Sequence, residues 1–200
     1  TALVLDSEAV DELSNKIKKS AIITDESCFY AESGGQVGDK GIISSENAEF
    51  RVTDTRKTSQ GIFIHFGNVI SGNFKIGQEV KLNVDTSLRD LIKKNHSATH
   101  LLHAALRNNL GPHVAQRGSL VNENKLRFDF SHNKQISSNQ IDTIQKEITN
   151  IISNDRETQI EIKSQEEAIK QGAMALFGEK YGEEVRVVTL GEHNNKPYSI

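Results

Sequence analysis

The sequence predicts an α+β fold, with a small β-barrel-like N-terminal unit packed on an α+β core whose helices lie against an antiparallel sheet. Three observations lead there. Residues 1–85 hold short apolar runs set between turn-forming residues, and eight of the fourteen glycines fall in this part. Two of its segments alternate strictly, the mark of half-buried strands. Residues 86–200 instead mix stripes of 3.6-residue period with short alternating stretches. The change of pattern near residue 85 carries no linker composition, so the expected domains are 1–85 and 86–200.

In the first part, Ala21-Ile22-Ile23, Gly41-Ile42-Ile43 and Gly61-Ile62-Phe63-Ile64 read as strands entered from turns. Ala48, Phe50 and Val52 share one strand face, and Val80, Leu82 and Val84 share another. Several short strands with close turns suggest a small barrel or sandwich. In the second part, Ser87 and Asp90 make a capping-box pattern at the start of a helix carrying Leu88, Leu91, Ile92, Leu102, Ala105 and Leu106. Gly111-Pro112 ends it. Leu126, Phe128 and Phe130 alternate as a strand. Ser138 opens a second helix with Ile141, Ile144, Ile148, Ile151 and Ile152 on a stripe. Thr158, Ile160 and Ile162 form a strand, Ser164 and Glu167 repeat the capping box, Gly172 closes a short third helix, and Val185, Val187 and Val188 begin the last strand.

Composition narrows the function classes. Apolar residues make up 36% and charged residues 26%, a globular balance rather than a disordered one. No apolar run approaches the roughly 20 residues of a membrane span, and Thr1–Val10 lacks the basic head and apolar core of a signal peptide. A single cysteine, Cys28, excludes an internal disulfide framework. A cytoplasmic address is the default expectation. The apolar start Ala2-Leu3-Val4-Leu5 and the end Pro197-Tyr198-Ser199-Ile200 read as cuts within a longer protein. The net charge of −3 argues against a general nucleic-acid coat, but residues 86–134 hold eight Lys/Arg against three Asp/Glu and five of the seven histidines. Such a local basic stretch can meet phosphate on an otherwise acidic protein.

His96 and His100 stand four apart on the first helix and so project from one face, one turn apart. Two imidazoles so placed can share a zinc ion, and His103 extends the row by a turn. The general base of a His-Glu-x-x-His protease is replaced by Ser97, which disfavours that chemistry. The spacing alone equally fits histidines hydrogen-bonded to their neighbours. None of Cys28, His65, His113, His132 and His193 has a spacing that marks it as a further ligand, and Cys28 reads as a packed thiol.

The run from Asn95-His96-Ser97-Ala98-Thr99-His100 to Arg107 strongly resembles the editing-domain helix of alanyl-tRNA synthetases. So do Leu110 to Val121, with Gln116-Arg117-Gly118-Ser119 at its centre, and Leu126-Arg127-Phe128-Asp129-Phe130-Ser131-His132. Phe29 to Asp39, containing Gly34-Gly35-Gln36, is similar to the glycine-rich motif of that family, and Gly172 to Gly182 fits it too. These blocks lie in the family's order along nearly the whole chain.

The resemblance implies an aminoacyl-tRNA deacylase that hydrolyses Ser-tRNA(Ala) and Gly-tRNA(Ala), within an enzyme of protein biosynthesis that ligates alanine to tRNA(Ala). It implies His96 and His100 as zinc ligands, with a Cys-x-x-x-His pair expected after Ile200, so that a chain of these residues alone would fold with an empty or partly filled metal site and little activity. Gln116 is implied as a catalytic residue; Thr99, between the two histidine turns, is a second catalytic candidate, placed to contact a seryl hydroxyl, with packing or a bond back to the helix backbone as the alternative; and Arg117, Arg127 and Lys180 are the cations expected at the tRNA(Ala) acceptor end. ATP and magnesium would serve only an aminoacylation domain outside these residues. The remaining partner would be the rest of the synthetase chain, with no DNA and no membrane. The glycine-rich loop, whose Gly34-Gly35-Gln36 also resembles the peptidyl-tRNA-hydrolysing tripeptide of release factors, is expected to pack the first unit on the second. Two other readings are a free-standing, trans-acting deacylase and a catalytically silent tRNA-binding module.

Overall fold

The computed structural model describes residues 2–14, 19–154, 158–171, 173, 182–193 and 196–199. It is an α+β structure dividing into two compact units, Thr1–Lys93 with Val121–Asn124, and Lys94–Leu120 with Lys125–Ile200.

The first unit is built from strands β1 (Ala2–Leu5), β2 (Glu8–Val10), β3 (Glu12–Ser14), β4 (Ser20–Ile23), β5 (Gly41–Ser44), β6 (Glu49–Lys57), β7 (Phe63–Ser71), β8 (Asn73–Lys75) and β9 (Lys81–Val84). Seven of them make one sheet in the order β2-β1-β4-β7-β6-β5-β9, and β3 pairs with β8. Every neighbouring pair in the large sheet is antiparallel. The barrel-like closure expected from the sequence is corrected to an open sheet with β2 and β9 at its edges. Alternation specifies which side chains point inward; closure needs a further pairing between the outermost strands, which alternation does not encode.

Burial follows the alternation. Ala48, Phe50 and Val52 are buried together, with Val80, Leu82 and Val84 packed against the same core. Between Val52 and Asp54 the register of β6 against β7 shifts, and the inward positions pass from even to odd numbers, so that Thr55 is buried as well. Leu13 and Phe74 face each other across the β3–β8 pair, and Phe74 meets Phe50 edge to face, with centroids 6.3 Å apart. The β1–β2 hairpin turns through Asp6 and Ser7, both at positive φ, without the Asn-Gly or Asp-Gly signal usual for such a turn.

Helix α1 (Thr86–Leu110) follows. Its cap lies two residues before the expected Ser87: the Asp85 carboxylate accepts from Leu88 N–H at 3.0 Å. An Asp already facing the first orphan amide leaves Ser87 inside the first turn. The helix ends where expected, with Gly111 N–H bonded to Arg107 C=O.

The second unit contains the rest of α1, the hairpin of β10 (Gln116–Val121) and β11 (Leu126–Phe130) except its tip Val121–Asn124, which belongs to the first unit, α2 (Ser138–Ser153), β12 (Gln159–Ser164), α3 (Gln165–Lys170), β13 (Glu184–His193) and β14 (Lys196–Ser199). Ser137 and Gln140 form a capping box on α2, and Ser164 and Glu167 form the expected one on α3. Leu101 and Ala104 of α1 pack on Ile151, while Ala105 and Leu106 pack on Val114 and Ile144. The isoleucine stripe of α2 is only partly used, since Ile141 and Ile152 are exposed. The strand 184–193 pairs antiparallel with β12 on one side and β14 on the other. Gly172, expected to close α3, lies outside the described residues.

Candidate functional site

Helix α1 carries His96, Thr99, His100 and His103, and its 3.6-residue period gathers them within one sector. The His96 and His100 rings lie 4.8 Å apart between centroids and are inclined at 43°. His100 is 4% exposed, and its Nδ1 is buried with no hydrogen-bond partner. Burial, reinforced by the neighbouring His96 and His103, pushes its pKa down to about 4. The ring is therefore neutral at pH 7, the state in which imidazole binds a metal.

His103, a turn further on, is 5% exposed and packs on Phe128 of β11, with ring centroids 5.0 Å apart. Burial lowers its pKa, and the Arg107 charge acts in the same sense, against a smaller opposing effect of the Val114 backbone. Neither ring nitrogen makes a well-formed hydrogen bond, and the Val114 carbonyl instead accepts from Arg107 Nη1 at 2.8 Å. Among the described residues, buried side-chain polar atoms without partners comprise Ser45 Oγ, His100 Nδ1 and both nitrogens of His103. Most of these orphans thus belong to one helical face.

Thr99 is buried, and its hydroxyl donates to Asn95 C=O at 2.8 Å, so only its lone pairs remain to receive a bond. Gln116 opens β10 half-buried, with Nε2 donating to Ser119 Oγ at 3.1 Å, which leaves its carbonyl oxygen to accept elsewhere. Arg117 is exposed. Arg127 is exposed too, but its Nε is held by Asp129 Oδ2 at 3.1 Å. Lys180, and most of the Gly172–Gly182 segment, lie outside the described residues.

Zinc requires three or four ligands. Two imidazoles on one helical face, one with an orphaned buried nitrogen, fit half of such a site. Among the described residues no cluster of three or more His, Cys, Asp or Glu side chains is assembled. Cys28 is exposed rather than packed, its Sγ lying 3.8 Å from Leu82 C=O. The expectation of a packed thiol rested on its apolar neighbours, but of these Phe29 is buried while Cys28 is exposed.

The glycine-rich motif forms a tight turn in the first unit. Ser33 and Gln36 exchange backbone hydrogen bonds across Gly34 and Gly35, both at positive φ. Gly35 C=O accepts from Val121 N–H at 2.8 Å, and Val37 N–H donates to Val121 C=O at 3.1 Å. The base of the turn is fixed by Asp39, which accepts from Tyr30 N–H and from Arg89. Three side-chain linkages had no sequence signal. His65 is buried between Ile22 C=O and the Ser27 hydroxyl, His113 bonds His132 at 2.9 Å, and Glu147 accepts from Asn108 and Asn109. Only the tertiary pairing of distant segments brings these groups together.

Residues 1–88 match the family of class II (A) tRNA synthetases. The whole chain is similar to an alanine–tRNA ligase of Mesorhizobium japonicum, 47% identical over 204 residues, covering 100% of this chain and 23% of that protein. An alanine–tRNA ligase of Parvibaculum lavamentivorans is 47% identical over 203 residues, with the same coverage of both chains. One of Rhizobium johnstonii is 48% identical over 187 residues, covering 91% of this chain and 21% of that protein. The chain thus spans under a quarter of the length of these relatives.

Proposed function

From the premise that the chain is similar along its whole length to part of alanine–tRNA ligase, we propose that it is the segment of such an enzyme that hydrolyses wrongly charged Ser-tRNA(Ala) and Gly-tRNA(Ala). The observation that carries this reading is the His96–His100 pair, whose rings stand 4.8 Å apart with a buried, unpartnered nitrogen on His100. A second site of this kind answers a physical need. A pocket shaped for alanine cannot exclude glycine by size, and one small group is worth only about 1–3 kcal/mol of discrimination.

The reaction is ester hydrolysis. Water oxygen adds to the aminoacyl carbonyl carbon, the bond from that carbon to the ribose oxygen breaks, and a proton passes to the ribose oxygen, leaving free amino acid and tRNA. His96 and His100 would hold zinc together with ligands from outside the described residues, and the ion would supply Lewis acidity toward the carbonyl or the attacking water. The Gln116 carbonyl oxygen would accept from that water or from the substrate's amino group and so orient it. Thr99 would act as an acceptor, since its own proton is committed to Asn95. Arg117 would meet the phosphates of the acceptor end. Arg127 would do so only on release from Asp129, and Lys180 completes the proposed tRNA contacts.

The test is hydrolysis of Ser-tRNA(Ala), beside Ala-tRNA(Ala), by this chain and by a complete ligase containing it. The complete ligase should release serine much faster than alanine, the chain alone only weakly, and Gln116→Ala should slow release without loss of folding. A complete ligase that leaves Ser-tRNA(Ala) intact would overturn the reading.

A further inference from the structure

We propose that the outer face of the seven-stranded sheet in the first unit is a docking surface for the aminoacylating part of the same ligase chain, on the N-terminal side of these residues. The inference rests on the similarity to alanine–tRNA ligase and not on the deacylase reading.

Strand pairing defines the face. Side chains of directly paired residues point the same way, and alternate residues along a strand point oppositely. Leu3, Ile22 and His65 form one such row and are buried. The residues on either side of them turn outward in two rows. One runs Val4–Ala21–Phe66–Asp54, the other Ala2–Ile23–Ile64–Arg56. Phe66 is 37% exposed, Ala2, Val4, Ile23 and Ile64 are half-buried, and Ala21, between Val4 and Phe66, is buried. An antiparallel sheet with one face on a core commonly presents polar side chains on the other. Across β1, β4 and β7 both faces are apolar instead. Charge borders the strip: the Arg56 guanidinium lies 5.7 Å from the Phe66 ring centroid, and its Nε lies 2.8 Å from Asp54 and 3.6 Å from Glu32. An apolar centre inside a polar rim is the anatomy of a protein interface.

Charge, area and the family match choose the occupant. Residues 1–85 hold nine Lys/Arg against thirteen Asp/Glu, and two carboxylates meet the Arg56 charge. Such a surface repels phosphate, which disfavours RNA. Three strands about 4.8 Å apart and two rows about 7 Å apart make a strip on the order of 200 Å². A free partner, a second copy included, needs roughly 800 Å² on each side. A surface tethered by the chain itself needs less, because it meets the strip at an effective concentration of about millimolar. The class II synthetase match covers residues 1–88 and stops inside this chain, near the limit of the first unit at Lys93. Whatever that domain holds outside these residues would precede residue 1, and β1 begins at Ala2, a corner of the strip.

A complete ligase containing this chain tests the inference in two ways, both without tRNA. In hydroxyl-radical footprinting, oxidation of Phe66 and Ile64, each relative to Ile76 outside this sheet, should be about fivefold lower or less in the complete ligase than in the 200-residue chain, as for side chains entering the dry centre of an interface. Equal oxidation in the two proteins overturns the inference. So does protection that appears only when tRNA(Ala) is added, or protection in the 200-residue chain that grows with its concentration. In the second, p-benzoylphenylalanine is placed at position 66 of the complete ligase and irradiated. The crosslinked peptide should come from the same chain, before residue 1. A crosslink to a second copy or to residues beyond 200, or none, overturns the inference.

Discussion

Arg89 of helix α1 donates from Nε to Asp39 Oδ2 at 3.0 Å, and its Nη2 reaches the same oxygen as well as the Cys28 carbonyl, at 2.8 Å. The Asp39 side chain is only 3% exposed and also accepts from Tyr30 N–H. One carboxylate thus ties the first turns of the helix to the segment that carries the glycine turn. Removing the cation would strand a buried negative charge, which costs about 3 kcal/mol or more. Arg89→Met should lower stability by that order in urea unfolding, and Asp39→Asn by less, because the amide keeps an acceptor for Tyr30.

Gly67 tests how tightly β6 and β7 pair. A Cβ at this position would lie 1.8 Å from the Arg51 carbonyl oxygen, opposite Val52. Backbone cannot yield as a flexible side chain can. Gly67→Ala should cost about 3 kcal/mol, the upper end of overpacking effects, seen as a fall in the urea midpoint. Gly77→Ala, where the added carbon meets nothing within 4 Å, is strained only by its positive φ and should cost less.

The histidine row makes stability depend on pH. Native His100 protonates at about 4, whereas a free imidazole does so near 6.5. As pH falls the unfolded chain takes up this proton first. Stability from His100 is therefore complete above about pH 6.5 and lost between there and about pH 4, by up to roughly 3 kcal/mol. His65 and His103, both lowered by burial, add in the same sense. With metal removed by chelator, the urea midpoint should fall between pH 7 and pH 4.5, and His100→Asn should flatten that fall.

Glu147 of α2 accepts from Asn108 Nδ2 at 2.8 Å and Asn109 Nδ2 at 2.6 Å, joining α2 to the last turn of α1. Glu147→Ala would leave two amides without this acceptor and should cost about 2 kcal/mol. Glu147→Gln, which can accept at only one oxygen, should fall between the two. Thermal unfolding of the three proteins gives the order.

The sequence revealed what periodicity and spacing encode. Phe50 and Val52 are buried because they alternate, Ser164 caps α3 because Glu167 follows at the right interval, and His96 meets His100 because four residues make about a turn. Features that depend on distant partners were not legible. The open edges of the sheet depend on which strands pair last. Asp85 replaces Ser87 as the cap through a choice between two neighbouring good cap residues. The partners of His65 and Glu147, and the Arg89 partner of Asp39, lie 38 or more residues away and follow no local rule. Within the candidate site, the helical face was legible, but the orphaned nitrogens of His100 and His103 were not, because burial is a property of the folded whole.

The most direct test of the central claim is single-turnover hydrolysis of Ser-tRNA(Ala) by a complete ligase containing this chain, with and without His96→Ala and His100→Ala together. Attachment of alanine by the same preparations serves as the control for folding. If the helical face of α1 is the hydrolytic site, the double variant loses most of its serine release, about a hundredfold or more, while alanine attachment continues. Undiminished serine release from the double variant would contradict the account.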